Sequence, residues 1–586
     1  MRVAVGVVIG ALLSASTASY GAIPAGSEFQ VNTYTTGFQG PAAVVRDGNG
    51  FVVAWNAYGG DVLAQRFDSL GTRLGTEFQV NDPAYGASLP AMAAGGAGGF
   101  VVVWTNYGRD GSSQGLFARR FDSLGTAIGS EFQVNTYTQN RQYQPAIAPE
   151  GSGGFAVVWS STDQDGSGRG VFGQRLDSLG AVVGSEFQVN TYTTGIQDYP
   201  AVGGDGTGFV VAWRGSDGDI FAQRFDSAGG FDGTEFQVNT NTSGQQRKPD
   251  VEELASGFVI VWTGGADQDG DSYGIFGQRF DGSGAPSGTE FQINSYTTGA
   301  QEFPLGTSEP SPSWVAGDGS GGFLVTWMSD YTTPGQDGDR GGVFARHFDS
   351  SGAPAGTEFQ VNTYTTHRQF DMVLAGDGAG GFVVVWNSYG QDGDTGGIFA
   401  QRFVEPQATG APCGESVACE TGNCVDGVCC DTPCSDPMQA CNIAGSAGTC
   451  TSTLAPGDPC SDATQCESTN CADGVCCNDP CTGVMEACNV SGSVGTCTPT
   501  APLGEPCDDG TQCESTFCAD AVCCDQACTG PDQACNQIGR VGTCTQVTSP
   551  VPAASTWGVL ILVAGLILVA FFAIRDRTDP GSGRSS

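Results

Sequence analysis

The segment E-F-Q-V-N, or a near copy of it, occurs seven times, beginning at Glu28, Glu77, Glu131, Glu186, Glu235, Glu290 and Glu358. Between the copies the same short apolar runs and glycine turns return. A strand-rich unit of about fifty residues cannot bury its apolar faces alone, so the copies must pack as one repeat architecture. One unit reads, in order, a Pro-Ala-Val-like run, G-G-F-V-V-V-W, a polar glycine-rich loop, I-F-A-Q-R-F-D, a D-S-x-G turn and E-F-Q-V-N. The runs are short, rich in Val, Ile and Phe, and bounded by Gly, Asp or Ser, as strands are. The second run, shown by Val383 to Trp386, is apolar on both faces and is expected to be buried on both. Segments such as Asp122 to Gly125 suit a type I turn followed by a glycine at positive φ.

Four strands joined by short turns make a propeller blade. The first E-F-Q-V-N precedes any complete unit, and the last unit ends at Phe403 without one. If the leading copy supplies the outer strand of the last blade, seven four-stranded blades close with no unpaired edge. The expected fold is therefore all-β: a seven-bladed propeller over residues 27–404, closed by its N-terminal strand. An open row of β units is the alternative. The repeats resemble those of large surface and calcium-associated proteins of bacteria, a likeness that implies fold and location more than activity.

The chain holds 62 acidic and 23 basic side chains and carries a net charge of −39. Such a surface repels nucleic acid and anionic lipid and suits the capture of cations. The loop between the second and third strands concentrates acids: Asp163 and Asp165 in blade 3, Asp267, Asp269 and Asp271 in blade 5, Asp337 and Asp339 in blade 6, Asp392 and Asp394 in blade 7. Carboxylates two residues apart on a glycine turn can place hard oxygens around Ca²⁺. The same residues also suit plain Asp/Gly turns. The pattern resembles the calcium loops of integrin-type propellers, although most copies lack a third spaced acid. Each unit also repeats an arginine in its third strand (Arg66, Arg120, Arg175, Arg224, Arg279, Arg346, Arg402) and a glutamate in its fourth, which reads as a structural ladder of ion pairs. The blade tryptophans, Trp55 to Trp386, read as packing between blades, with sugar stacking as the sharper alternative.

All 24 cysteines lie between Cys413 and Cys544, in three copies of one spacing with a period of 47 residues. The copies span 413–450, 460–497 and 507–544. Eight cysteines per copy without C-x2-C pairs point to disulfides rather than zinc, and hence to an oxidising, exported setting. Modules this small need such staples. Each should be roughly 25 Å across, so three in series would make a stalk of about 75 Å. They resemble C-C-x3-C modules of exported proteins of myxobacteria.

Residues 1–22 read as a signal peptide. Residues 557–574 are an unbroken apolar stretch, just long enough to span a bilayer as a helix, followed by Arg575 and Arg577, which orient the bulk outside. Pro552, Ser555, Trp557 and Gly558 resemble bacterial sorting signals of the IPTL-CTERM kind, with departures at four motif positions. That resemblance adds a sorting protease as an expected partner.

No nucleophile elbow, zinc-binding helix or phosphate loop appears, and only two histidines exist, His347 and His367. No catalytic or cofactor-binding residue is assigned beyond the aspartates named for Ca²⁺. The chain thus reads as an exported cell-surface binding or adhesion protein, not an enzyme, with an extracellular glycan or surface protein as partner, membrane contact through its C-terminal helix, and no nucleic acid. A secreted carbohydrate-active enzyme is the alternative. Clustered carboxylates at one channel mouth would favour the enzyme, and an exposed ring of aromatics would favour glycan binding. Blade 6, with its insertion at residues 306–315 and long loop at 329–342, is where sevenfold equivalence breaks most in the sequence.

Overall fold

The computed structural model describes residues 22–450 apart from 49, 96–98, 151–152, 205–207, 266–267, 304–313, 330–334, 377–380, 408, 414–418, 420–422, 426, 433–438 and 443–446, and beyond 450 only short segments up to residue 546. The expected signal peptide and membrane span therefore lie outside the described residues, apart from Ala22. Among the described residues every regular element is a strand, and no helix is long and apolar enough to cross a membrane. The chain divides into two compact units, residues 1–429 and 430–586.

The first unit is a seven-bladed propeller. Seven antiparallel sheets of four or five strands follow one another along the chain. Blade 3 is representative: Gln142–Pro149, Phe155–Thr162, Arg169–Leu176 and Val182–Gln188 pair in that order. Burial falls from the inside out. The second strand is buried on both faces, as Phe382–Ser388 shows in blade 7, whereas Val182–Gln188 is half-buried to exposed. The seven first strands sit beside one another in sequence order, and that of blade 7 returns to that of blade 1. They therefore ring the axis.

The ring closes as the leading repeat requires. Phe29 and Gln30 pair with Ala400 and Phe399 of the last blade, and Ile23–Pro24 continues the pairing to Val404 and Phe403. Val31 is fully buried within a core shared by blades 7 and 1, with Trp55, Val385 and Ile398 among its members.

Two side chains of E-F-Q-V-N explain why it repeats. In every blade the asparagine Oδ1 accepts the N–H of a residue that opens the third strand, at 2.7–2.8 Å, from Asn81 with Val62 round to Asn32 with Ile398. The glutamate reaches the preceding blade. Its carboxylate accepts the backbone N–H just after that blade's asparagine, in seven pairs: Glu77 with Thr33, Glu131 with Asp82, Glu186 with Thr136, Glu235 with Thr191, Glu290 with Thr240, Glu358 with Ser295, and Glu28 with Thr363. These are charge-assisted bonds, stronger than neutral ones. Asn190→Ala would leave the buried Val171 N–H without its acceptor, and about 2 kcal/mol of stability should go with it. Chemical denaturation measures this; a loss under about 0.5 kcal/mol, the range of ordinary surface changes, would count against the asparagine as a key.

The expected ladder of arginine and E-F-Q-V-N glutamate is not what forms. The glutamates go to the backbone, and the arginines go to the opposite side of the blade. Arg175, Arg224 and Arg279 donate to carbonyls of the next blade's D-S-x-G-type turn, at 2.7–2.8 Å from Ser227, Gly282 and Ser350. Arg66 and Arg175 also pair with Asp47 and Glu150 at the ends of their own first strands. Register corrects the series in blade 6: Leu324 pairs with His347 where Val52 pairs with Arg66. His347, not Arg346, holds the arginine position, and its Nε2 meets Asp318 at 3.2 Å as Arg66 meets Asp47. The turns form as expected: Asp122 Oδ1 accepts the N–H groups of Leu124 and Thr126, and Gly125 takes φ +78°. A side chain on Gly125 would also run into Arg66.

The cysteine region repeats two short hairpins per copy. Cys424 pairs with Cys429, Cys471 with Cys476 and Cys518 with Cys523; Ala440 pairs with Thr451, Ala487 with Thr498 and Ala534 with Thr545. Disulfides join Cys413 to Cys424 and Cys419 to Cys429 in the first unit, and Cys430 to Cys441 in the second. Cys450, Cys466, Cys471 and Cys477 are disulfide-bonded as well.

Candidate functional site

The loops between second and third strands and the connections from each blade to the next lie on one face, because they bond to each other. The predicted aspartates do much of that bonding. Asp271 Oδ2 accepts Gly299 N–H at 2.8 Å, Asp339 Oδ2 accepts His367 N–H at 2.9 Å, and Asp394 Oδ2 accepts Gly37 N–H at 2.9 Å across the closing seam. Asp163, itself at φ +60°, accepts from Asn140. The other member of each pair caps its own loop: Asp165 Oδ1 accepts Ser167 N–H, Asp269 that of Asp271, Asp337 that of Asp339, and Asp392 that of Asp394. Asp267 lies outside the described residues. In blades 5, 6 and 7 the loop is thus a clasp on the connection to the next blade, and among the described residues no three of these carboxylates converge. One feature goes beyond a turn. The Oδ2 atoms of Asp110, Asp165, Asp337 and Asp392 are buried without a hydrogen-bond partner.

The tryptophans Trp55, Trp104, Trp159, Trp213, Trp262, Trp327 and Trp386 are at most 1% exposed, so they pack between blades and cannot stack on a sugar. The exposed aromatics are others. Tyr34, Phe38, Tyr58, Tyr85, Tyr107, Tyr192 and Tyr389 are 38–69% exposed, and all seven sit in the connections or second-third loops of this one face. The repeat carries no signal for them, because they fall in the variable loops, outside the aligned strands.

At the mouth of the axis, sevenfold equivalence fails in blades 4 to 6. The first strands of five blades carry a bulge whose residue is held at positive φ without being glycine: Leu89, Gln144, Tyr199, Lys248 and Asp371. Such strain persists where the surroundings over-determine it. Lys248, the sole lysine of the chain, lies over the rings of Tyr199 at 5.7 Å and Trp314 at 6.0 Å. Next to Tyr199, the buried Asp198 takes Arg169 at 2.8 Å and Arg214 at 2.9 Å. In blade 5, Asp250 and Glu252 stand where blade 3 has Ala146 and Ala148. Asp250 accepts the N–H groups of Val251, Trp314 and Val315, and Glu252 that of Gly317. Burial pushes the Asp250 carboxyl up to about 7 and Glu252 up to about 8, against the lowering effect of those N–H donors. Part of blade 6 that was expected to matter, residues 306–313 and 330–334, lies outside the described residues.

No family model matches the chain, and no curated protein matches it. Among solved structures it is similar to a protein of unknown function from Dyadobacter fermentans, at 9% identity over 66% of this chain and 99% of that one, TM-score 0.41. It is also similar to a GH43 endo-arabinanase from Bacillus licheniformis, at 14% identity over 45% and 95%, TM-score 0.28. An α-L-arabinanase from Penicillium chrysogenum gives 13% identity over 66% and 98%, TM-score 0.34.

Proposed function

We propose that this chain is an exported cell-surface binding protein that engages an extracellular glycan on the connection face of its propeller. The observation that supports this is the placement of the exposed aromatics. Seven of them gather on one face, while the repeated tryptophans are spent on packing. Aromatic faces in a polar rim are what sugar rings and their C–H edges stack on. The signal peptide, the disulfide stalk, the membrane span at 557–574 and its processing by a sorting protease are parts of the same reading and rest on the sequence.

Ca²⁺ belongs to it as a weak ligand of the second-third loops. The buried, unpartnered Oδ2 atoms of Asp165, Asp337 and Asp392 fit a cation. Two carboxylates per loop make a thin donor set, in keeping with affinity near the millimolar range of extracellular modules. The test is glycan-array binding by the full-length protein with Ca²⁺ and with chelator. Tyr58→Ala and Tyr107→Ala should each weaken the selected glycan at least about tenfold, the order of 1.4 kcal/mol, and chelation should lower the melting temperature. Unchanged glycan binding in both variants would overturn the reading.

The second reading, a carbohydrate-active enzyme, draws on Asp250 and Glu252. Carboxyls that keep a proton near neutrality are what a general acid requires. It predicts release of reducing ends from the selected glycan, abolished by Glu252→Gln.

A further inference from the structure

The second-third loops of blades 2 to 7 all contain the motif x-Asp-Gly: Arg109-Asp110-Gly111, Gln164-Asp165-Gly166, Ser216-Asp217-Gly218, Gln268-Asp269-Gly270, Gln336-Asp337-Gly338 and Gln391-Asp392-Gly393. In five of the six the residue before the aspartate donates to the E-F-Q-V-N glutamate of its own blade. Gln164 reaches Glu186, Gln268 reaches Glu290, Gln336 reaches Glu358, Gln391 reaches Glu28, and Arg109 reaches Glu131. Arg109 fills a slot between the glutamate and the third-strand Phe117, and the glutamines bond the glutamate from the same loop position. In blade 4 the residue is Ser216, too short to reach Glu235. The slot is open there: a cavity of about 260 Å³ lined by Tyr192, Trp213, Ser216, Asp217, Phe221 and Glu235 among others. Glu235 Oε2 accepts from Thr191, and among the described residues no side chain of the loop donates to its other oxygen.

Blade 2 shows what a charged occupant of this slot looks like. The Arg109 guanidinium lies 4.3 Å from the Phe117 ring centre and 4.6 Å from that of Tyr85, and it pairs with Glu131. Phe221 and Glu235 are the register equivalents of Phe117 and Glu131; Trp213 faces Phe221 as Trp104 faces Phe117. Blade 4 keeps the parts that surround the slot: Asp217 stands where blade 2 has Asp110, and Tyr192 comes from the incoming connection, as Tyr85 does in blade 2. An aromatic floor with two carboxylates, in a protein of net charge −39, favours a planar cation over a neutral amide.

We propose that the open slot of blade 4 binds a guanidinium group supplied from outside the propeller, in the pose that Arg109 takes in blade 2. The ligand is an arginine side chain of a partner polypeptide. This site shares Tyr192 with the aromatic rim, but it rests on Glu235 and the missing plug and stands without the glycan and calcium readings.

The test is binding of N-acetyl-arginine amide, free L-arginine and N-acetyl-citrulline amide to the full-length protein, followed by NMR or calorimetry. Citrulline keeps the shape and loses the charge. The capped arginine should bind at least about tenfold more tightly than the capped citrulline, the order of 1.4 kcal/mol. Binding of the capped arginine supports a polypeptide source, whereas binding of free arginine alone would overturn that part and point to a small-molecule ligand. Ser216→Gln should abolish binding by supplying the blade's own plug while leaving the fold intact or tighter. Glu235→Gln should weaken it at least tenfold, and Glu186→Gln, in the plugged slot of blade 3, should not. Equal binding of citrulline, or undiminished binding to Ser216→Gln, would overturn the proposal.

Discussion

Removing residues 22–32 should unlatch the propeller, lowering its melting temperature by on the order of 10 °C. The segment does four things at once. Phe29 and Gln30 complete the last sheet. Val31 is fully buried at the seam. Asn32 accepts the Ile398 N–H, and Glu28 straps Thr363. One buried valine is worth about 2 kcal/mol, and the asparagine and glutamate bonds add about 1–2 kcal/mol each, so the loss is about 5 kcal/mol before the sheet pairing is counted. The deletion also strips Gly397–Val404 to a free edge, a template for aggregation. Thermal melts and limited proteolysis check the result. A synthetic peptide of residues 22–32 should restore the melting temperature in part. A deletion variant that melts within about 2 °C of the parent, well inside the shift of 1 kcal/mol in a mid-sized domain, would mean that the ring holds without its latch.

Raising the pH from 6 to 9 should destabilise the propeller through Asp250 and Glu252. Burial moves their carboxyls from 3.8 to about 7 and from 4.5 to about 8. The folded state therefore keeps protons that the unfolded chain has released, and the unfolded chain binds fewer. The sign follows: this stability is fully present below the unfolded values near 4 and is lost as pH rises through 7 and 8. At about 1.4 kcal/mol per unit, Asp250 loses only the one unit between pH 6 and its folded value of about 7, about 1.4 kcal/mol. Glu252, which titrates higher, goes on losing stability up to about pH 8 and contributes the larger part, reduced by its partial solvent contact. Both carboxylates interact with each other, and Glu253 adds to the repulsion at Glu252. Asp250→Asn should flatten part of the slope between pH 6 and 7, leaving that of Glu252, while keeping an acceptor for the Trp314 and Val315 N–H groups. The urea midpoint measured across this pH range decides it. Parallel profiles for parent and variant would remove Asp250 as the source.

The ring was legible because repetition is a property of the chain. Aligned copies reveal strand runs, turn glycines and the offset of the leading E-F-Q-V-N, and these are local or counting features. The roles of the repeated side chains were not legible. Arg and Glu recur in every unit, which suggests a pair, yet the arginine and the glutamate belong to opposite faces of the blade and bond to different neighbours. That His347 replaces the arginine is readable from V-F-A-R-H-F-D set against V-L-A-Q-R-F-D, and the pairing of Leu324 with His347 fixes it. The acidic loops could be read as cation sites or turns with equal justice from spacing alone. Their partners, such as Gly37 for Asp394, are 357 residues away.

The sequence by itself determined the number of blades, the strand order within each and the need for the ends to meet, because those depend on short-range pattern and on the cost of leaving an edge unpaired. The tertiary structure alone decided which side chains hold the ring and which face outward. Burial and hydrogen bonding across blades depend on distances between residues far apart in the chain, and a serine too short to reach Glu235 leaves the slot of blade 4 open.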